Sequence, residues 1–450
     1  MTTENNAPRK AGLMARAMRG SAWIVLGYCA GQGFRLVSNL VLTRLLFPEA
    51  FGLMALIMVF IVGLTMFSDV GIGPSISQSK RGDEPDYLNT AWTIQAIRGG
   101  ALWIVATVLA WPVSVFYQEP SLVYLLPLAA VALIISGFDP TRIETAHRHL
   151  LMGRVTTLEL ISQIIGIIAM VALAILLNSV LALILGNLIG VAARLILMNG
   201  YLPGVYNQFR WEKSAASELL HFGKWIFAST VCGFFSSQGD RAVLGKFLTL
   251  AVLGVYNIGY FLASFPLLLG YAITGRVLIP VYRDTPPGAS AANYRKLRRM
   301  RFVLTGVILG LVFVMAHIGP PLVALLYDDR YLAAGAIVVA IALVQITQVI
   351  GMSYDQAALA AGDSRGFFFL ALIRAVLQLA GLLIGASTFG LLGALIGLGV
   401  ATVAIHPAII MLARAHHAWD PLHDVFYALI GALVGGWAAW RYWEILSQIG

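Results

Sequence analysis

The lysines and arginines of this chain fall almost entirely in every second connection between long apolar runs, and that alternation leaves few architectures open. The runs are roughly 20 residues or longer, the length an α-helix needs to cross about 30 Å of hydrocarbon. Thirteen are readable, at about 21–46, 50–76, 89–113, 120–138, 155–177, 180–202, 219–245, 250–281, 301–326, 331–360, 366–386, 390–412 and 423–442. With the N-terminus inside, the inner segments hold 19 basic residues. These are Arg9, Lys10, Arg16, Arg19, Lys80, Arg81, Arg142, Arg148, Arg154, Arg210, Lys213, Arg283, Arg295, Lys296, Arg298, Arg299, Arg301, Arg365 and Arg414. The outer segments hold four, Arg44, Lys246, Arg330 and Arg441, and the other seven lie within spans. Such a bias sets orientation, so a multi-pass protein with a cytoplasmic N-terminus is expected.

Composition agrees. Hydrophobic residues make up 59% of the 450 and charged ones 11%, against about 25% charged in a soluble domain. Helices satisfy their own backbone in lipid, and the period-two pattern of a membrane barrel is missing, so an all-α fold is expected. Basic inner loops meet anionic membrane lipids, which accounts for the net charge of +9 without nucleic acid as a partner. The first run follows a basic tail, is too long for a signal peptide and contains Arg35, so it reads as a retained span. Cys29 and Cys232 both lie inside spans and say little about redox compartment. No connection exceeds about twenty residues, which leaves no room for a soluble catalytic domain.

The chain also repeats itself. A shift of 202 places Trp23 on Trp225, Leu42 on Leu244, Arg44 on Lys246 and Gly52 on Gly254 without a gap. A shift of 214 to 215 places Gly137 on Gly351, Gln163 on Gln378 and Gly166 on Gly381. Two six-helix bundles in parallel are expected, over residues 1–212 and 213–418, with an additional helix in 419–450 and 12 to 14 transmembrane helices in all. Parallel repeats are a recurrent transporter plan, with the substrate site between the halves.

Charged side chains at membrane depth cost at least about 2.5–3.5 kcal/mol each and call for a reason. Arg35, Asp69, Arg98, Asp240, Arg241, Arg276, Asp355 and Arg374 are the candidates; Arg194 and Lys224 lie near enough to the inner surface to snorkel. Two explanations stand. Internal ion pairs such as Arg35 with Asp69 and Asp240 with Arg276 would lock helices together. Alternatively, Arg35, Arg98, Arg241, Arg276 and Arg374 would line a cationic cavity for an anionic headgroup, since guanidinium suits phosphate, with Asp69, Asp240 and Asp355 as pairing or gating groups.

Other motifs point nowhere further. Gly239 to Lys246 has the wrong spacing for a phosphate loop and Phe247 where Ser or Thr belongs. Gly31-Gln32-Gly33 reads as a helix contact, His147, His149, His416 and His417 as surface histidines without a metal, and Asp328-Asp329 as a helix-end pair. No cofactor and no catalytic residue is expected.

The stretch Arg19-Gly20-Ser21-Ala22-Trp23, then Arg35-Leu36-Val37-Ser38-Asn39 and Leu42-Thr43-Arg44-Leu45-Leu46-Phe47-Pro48-Glu49-Ala50-Phe51-Gly52, resembles the opening of bacterial oligosaccharide flippases. These form the polysaccharide transporter group of the multidrug/oligosaccharidyl-lipid/polysaccharide exporter superfamily. Phe67-Ser68-Asp69-Val70-Gly71-Ile72-Gly73-Pro74-Ser75-Ile76 continues the likeness. So do Asp240-Arg241-Ala242-Val243-Leu244-Gly245-Lys246 with Leu253-Gly254-Val255-Tyr256, and Ile279-Pro280-Val281-Tyr282-Arg283. The family has twelve or fourteen spans, which puts the last one, 423–442, in question.

The resemblance implies a flippase in the bacterial cytoplasmic (inner) membrane. It would move an undecaprenyl-diphosphate-linked oligosaccharide from the inner to the outer leaflet, for lipopolysaccharide or exopolysaccharide assembly, by alternating access. A polysaccharide polymerase and co-polymerase are the implied partners. An ion-driven multidrug exporter of the same superfamily is the alternative, and a membrane glycan polymerase or ligase a remoter one.

Overall fold

The computed structural model describes residues 7–69, 71–149 and 151–449. Within its helices, the side chains of 7–22, 24, 25, 220–229, 276 and 277 lie outside that description. Among the described residues there is no strand, as the apolar runs require. The helices are α1 (Ala7–Leu45), α2 (Pro48–Phe67), α3 (Ile72–Gln78), α4 (Pro85–Tyr117), α5 (Leu122–Gly137), α6 (Arg142–Arg148), α7 (Met152–Leu177) and α8 (Leu181–Tyr201). They continue with α9 (Lys213–Phe247), α10 (Leu250–Asp284), α11 (Ala291–Leu326), α12 (Ala334–Gly351), α13 (Asp355–Ala360), α14 (Ser364–Ala415), α15 (Pro421–Arg441) and α16 (Trp443–Ser447).

Nine helical segments among the described residues are long and apolar enough to span a bilayer, and the bent pair α5 and α6, at 58°, makes a tenth. Two sequence runs, 366–386 and 390–412, fall in the single helix α14, which breaks at Phe389 and Gly390, where Gly390 takes φ 59°. The expected first and seventh spans fall in α1 and α9, parts of which lie outside the described side chains. The questioned last run forms α15, long and apolar enough to cross.

Helix starts follow from local chemistry. Thr249, Ser290, Asp363 and Asp420 cap α10, α11, α14 and α15 by accepting from the backbone N–H three residues on, which satisfies donors that the first turn leaves open. Asp328 does the same for the short turn Asp329–Tyr331, accepting from Arg330 N. The helix-end role expected of Asp328-Asp329 thus rests on one of the pair.

The 202-residue offset recurs in the helix ends. α1 and α9 end at Leu45 and Phe247, and α2 and α10 begin at Pro48 and Leu250, both at the 202-residue offset. The fourth span of each half ends on a glycine, Gly137 or Gly351, and resumes after a short break as α6 or α13. α2 and α10 cross where their repeat-related glycines meet. A Cβ on Gly52 would lie 1.9 Å from the Leu250 carbonyl oxygen, and one on Gly254 1.9 Å from that of Pro48.

The chain packs as two compact units, Met1–Leu46 with Phe60–Thr230, and Phe47–Val59 with Val231–Gly450. In the first, α7 and α8 approach through Gly166 and Gly190, where a side chain on either would press on the other's Cα. Small residues at such crossings let backbones meet where lipid supplies no hydrophobic drive. The second unit is built around α11 and α12, with Leu267, Ile308, Leu309, Val312, Ala342, Val349, Ile350 and Tyr427 in one buried cluster.

Candidate functional site

Inside the second unit, α9, α10, α12 and both arms of α14 enclose a cavity of about 350 Å³. Its wall carries polar side chains among apolar ones. Tyr260 and Tyr271 contribute rings, Gln345, Gln348 and Gln378 amides, and Ser237, Ser264 and Thr402 hydroxyls. Asp240 and Arg374 are the charged residues in the lining.

Each of those charges has an opposite charge beside it. Arg374 donates from Nη2 to Asp355 Oδ2 at 2.9 Å, which ties α14 to α13. Asp240 Oδ2 accepts from Tyr256 OH at 2.7 Å, and Asp240 Oδ1 lies 3.7 Å from Arg241 Nη1. Arg241 itself donates from Nε to Asn257 Oδ1 at 3.0 Å and stacks 4.4 Å over the Tyr260 ring. The local cause is sequence spacing. Asn257 and Tyr260 are one turn apart on α10 and so share a face, and Tyr256 lies beside them on the same helix.

The expected pairing of Asp240 with Arg276 is not among these contacts. Asp240 is taken up by Tyr256 and Arg241, and the side chain of Arg276 lies outside the described residues. The other expected pair, Arg35 with Asp69, does not form either. Asp69 Oδ1 accepts from Gly71 N at 2.8 Å, which turns the chain between α2 and α3. Arg35 is exposed on α1, with no hydrogen-bond or ion-pair partner among the described residues.

Arg98 joins α4 to the end of α2, with Nε on Ser68 Oγ at 3.0 Å and Nη2 on Thr65 O at 3.2 Å. Arg194, expected to snorkel, pairs with Asp139 and lies 3.9 Å from Glu159. The side chain of Lys224 is outside the described residues.

Several charged groups escaped the sequence reading because loop position and exposure are not the same thing. Arg142 and Arg301 count as inner-loop cations by sequence, yet each is 2% exposed. Arg142 donates to the carbonyls of Asn199, Leu202 and Val205 and fastens α6 beyond the end of α8. Arg301 donates to Tyr282 OH at 2.7 Å and lies over the Tyr354 ring. Asp424, at the start of α15, accepts from Tyr354 OH at 2.7 Å and Trp419 Nε1 at 3.0 Å, and lies beside His423 Nδ1 and His406 Nε2. An Asp at the start of the 423–442 apolar run is the signal by which the sequence reading could have found this cluster.

Outside the spans, Arg81 binds Glu212, Glu84 and Ser214, and the Glu212 and Glu84 carboxylates raise its pKa. No group of three or more His, Cys, Asp or Glu able to hold a metal ion occurs among the described residues.

A profile of the family described as polysaccharide biosynthesis protein matches residues 41–361. Two curated relatives are similar along most of the chain. The lipopolysaccharide biosynthesis protein WzxC of Escherichia coli is 21% identical over 86% of this chain and 78% of its own length. The succinoglycan biosynthesis transport protein ExoT of Rhizobium meliloti is 21% identical over 84% of this chain and 76% of its own. Among solved structures, the lipid II flippase MurJ in an inward closed conformation superimposes with a TM-score of 0.69 at 12% identity, covering 94% of this chain and all of that one. An inward-facing multidrug resistance MATE transporter follows at 0.61 and 13% identity, covering 90% and 95%. These likenesses establish the fold.

Proposed function

Because the chain belongs to the polysaccharide biosynthesis protein family, we propose that it is a flippase that carries an undecaprenyl-diphosphate-linked oligosaccharide from the inner to the outer leaflet of the bacterial cytoplasmic membrane. The protein is a multi-pass membrane transporter. The observation that supports the finer reading is a cavity with polar and charged side chains in its wall inside an otherwise apolar helix bundle. A sugar-diphosphate headgroup cannot cross hydrocarbon unaided, whereas its lipid tail can stay in the bilayer.

Alternating access around the headgroup supplies the path. Arg35 supports the reading as a cation that no neighbour among the described residues neutralises. Arg98, Arg241 and Arg374 are already engaged, so they serve the headgroup only with the donors they have left. A guanidinium carries five N–H groups, and one or two neighbours do not exhaust them. The excess of Lys and Arg in alternate loops supports an inside N-terminus, and uptake from the inner face agrees with where lipid-linked sugars are made. A polymerase with its co-polymerase would consume the product on the outer face.

Deletion of the gene tests this. Lipid-linked oligosaccharide should accumulate on the inner leaflet, and polysaccharide at the cell surface should be lost. A deletion strain with a normal lipid-linked pool and raised drug sensitivity would instead assign the protein to drug export.

A further inference from the structure

The polarity of the cavity in the second unit is of a specific kind. We propose that this cavity is a sugar subsite, which takes hydroxyl groups of the glycan and leaves the diphosphate elsewhere; the proposal rests on the flippase reading above.

Charge argues first. A diphosphate brings at least two negative charges and calls for a surplus of cations. Among the described residues the cavity has none. Its two charged lining residues are Asp240 and Arg374, and each is offset at once, by Arg241 and by Asp355.

Hydrogen-bonding capacity argues second. Gln345 is 3% exposed and lines the cavity, yet its Oε1 has no partner among the described residues. A buried acceptor left unmatched costs about 1–3 kcal/mol, so its ligand must bring a donor. An ionised diphosphate only accepts. A sugar hydroxyl both donates and accepts, and so serves the amide in either orientation. Gln348, Gln378 and Thr402 extend the same chemistry across the wall, and Tyr260 and Tyr271 add ring surface for the apolar faces of a pyranose. The volume of about 350 Å³ sits at the low end of small-molecule sites, room for roughly one or two sugar rings.

The test uses the full-length protein purified in detergent or nanodiscs, with two probes. One is the neutral oligosaccharide released by mild acid from the lipid-linked intermediate of the deletion strain; the other is inorganic pyrophosphate. The oligosaccharide should raise the melting temperature of the wild-type protein. Its apparent affinity should fall about tenfold in Gln345→Leu, as expected for one lost hydrogen bond to a buried group. Thr402→Val, a milder change, should weaken it in the same direction and serves if Gln345→Leu does not fold. Pyrophosphate should act equally on wild type and both variants. The proposal is overturned by an oligosaccharide that gives no shift, by a shift that both variants retain in full, or by a pyrophosphate shift that the variants abolish. These outcomes are separate from failure of the flippase reading, which shows as a normal lipid-linked pool in the deletion strain.

Discussion

Gly52 and Gly254 stand 202 residues apart and hold each other's helices at backbone contact: a Cβ on either would lie within about 3 Å of the other's amide nitrogen. The contact is reciprocal, since the carbonyls each would strike, of Leu250 and Pro48, are themselves 202 apart.

The first prediction follows from the distances. At 1.9 Å from a carbonyl oxygen, a methyl group cannot be accommodated by a side-chain rotation, so the helix must move. Gly52→Ala and Gly254→Ala should each destabilise the protein by about 1–3 kcal/mol and lower export. The double variant should cost less than the sum, because separating the helices for one methyl makes room for the other. Melting curves of the three variants in detergent check this; strict additivity would show that the two glycines act independently.

Asp355 and Arg374 give the second. Asp355 is 4% exposed and Arg374 is its ion-pair partner, so removing one charge strands the other. Asp355→Asn should cost about 3 kcal/mol. Asp355→Asn combined with Arg374→Gln should recover much of that loss, since no lone charge is left behind. Thermal unfolding of the singles and the double decides it, and a double as unstable as the two losses added would rule out the pairing.

A third prediction concerns α15. Asp424 gathers Tyr354, Trp419, His406 and His423 on one carboxylate, and so fastens the last span to the helices before it. Asp424→Ala takes the acceptor from the half-buried Trp419 indole N–H, at about 1–3 kcal/mol for such a group, and leaves Tyr354 OH only its longer bonds to Asp420 O and His423 Nδ1. α15 should then loosen. Limited proteolysis should cut the C-terminal segment faster than in the wild type, with the remaining spans intact. Unchanged cleavage would mean that apolar packing alone holds α15.

An all-helical fold was legible in the sequence because spans need long apolar runs, and the 202-residue offset recurs in the helix ends at Leu45 and Phe247, whereas the separate runs 366–386 and 390–412 fall in the one helix α14. The pairing of charges was not. Arg35 and Asp69 are complementary in charge and lie on neighbouring spans, yet Asp69 is claimed by the Gly71 amide only two residues away. Local hydrogen bonds of this kind compete with distant partners and leave no trace in hydropathy. Arg142 and Arg301 were hidden for the opposite reason. A loop arginine reads as solvated, but backbone carbonyls at the ends of α8 bury the first, and Tyr282 and Tyr354 the second. The cavity itself was half legible: Asp240 and Arg374 stood out as charges, whereas Gln345 and Thr402 are unremarkable until folding puts them on one wall.

The last prediction is a pH dependence at the start of α14. Asp363 lies between spans, and its carboxylate accepts from Gly366 N and pairs with His416. The Gly366 amide first, and the His416 ring second, lower its pKa below the ordinary carboxylate value. A carboxyl with a lowered folded pKa contributes stability that is complete above its unfolded value, about 4, and fades as the pH falls through the folded value. Asp363→Ala should therefore cost about 1 kcal/mol of helix capping at neutral pH. The gap from wild type should stay constant down to about pH 5 and narrow in more acid solution. Asp363→Asn keeps the cap and removes the charge, so its smaller gap measures what His416 adds. A gap for Asp363→Ala that widens with acid would have the wrong sign for a depressed carboxyl and would overturn this account of Asp363.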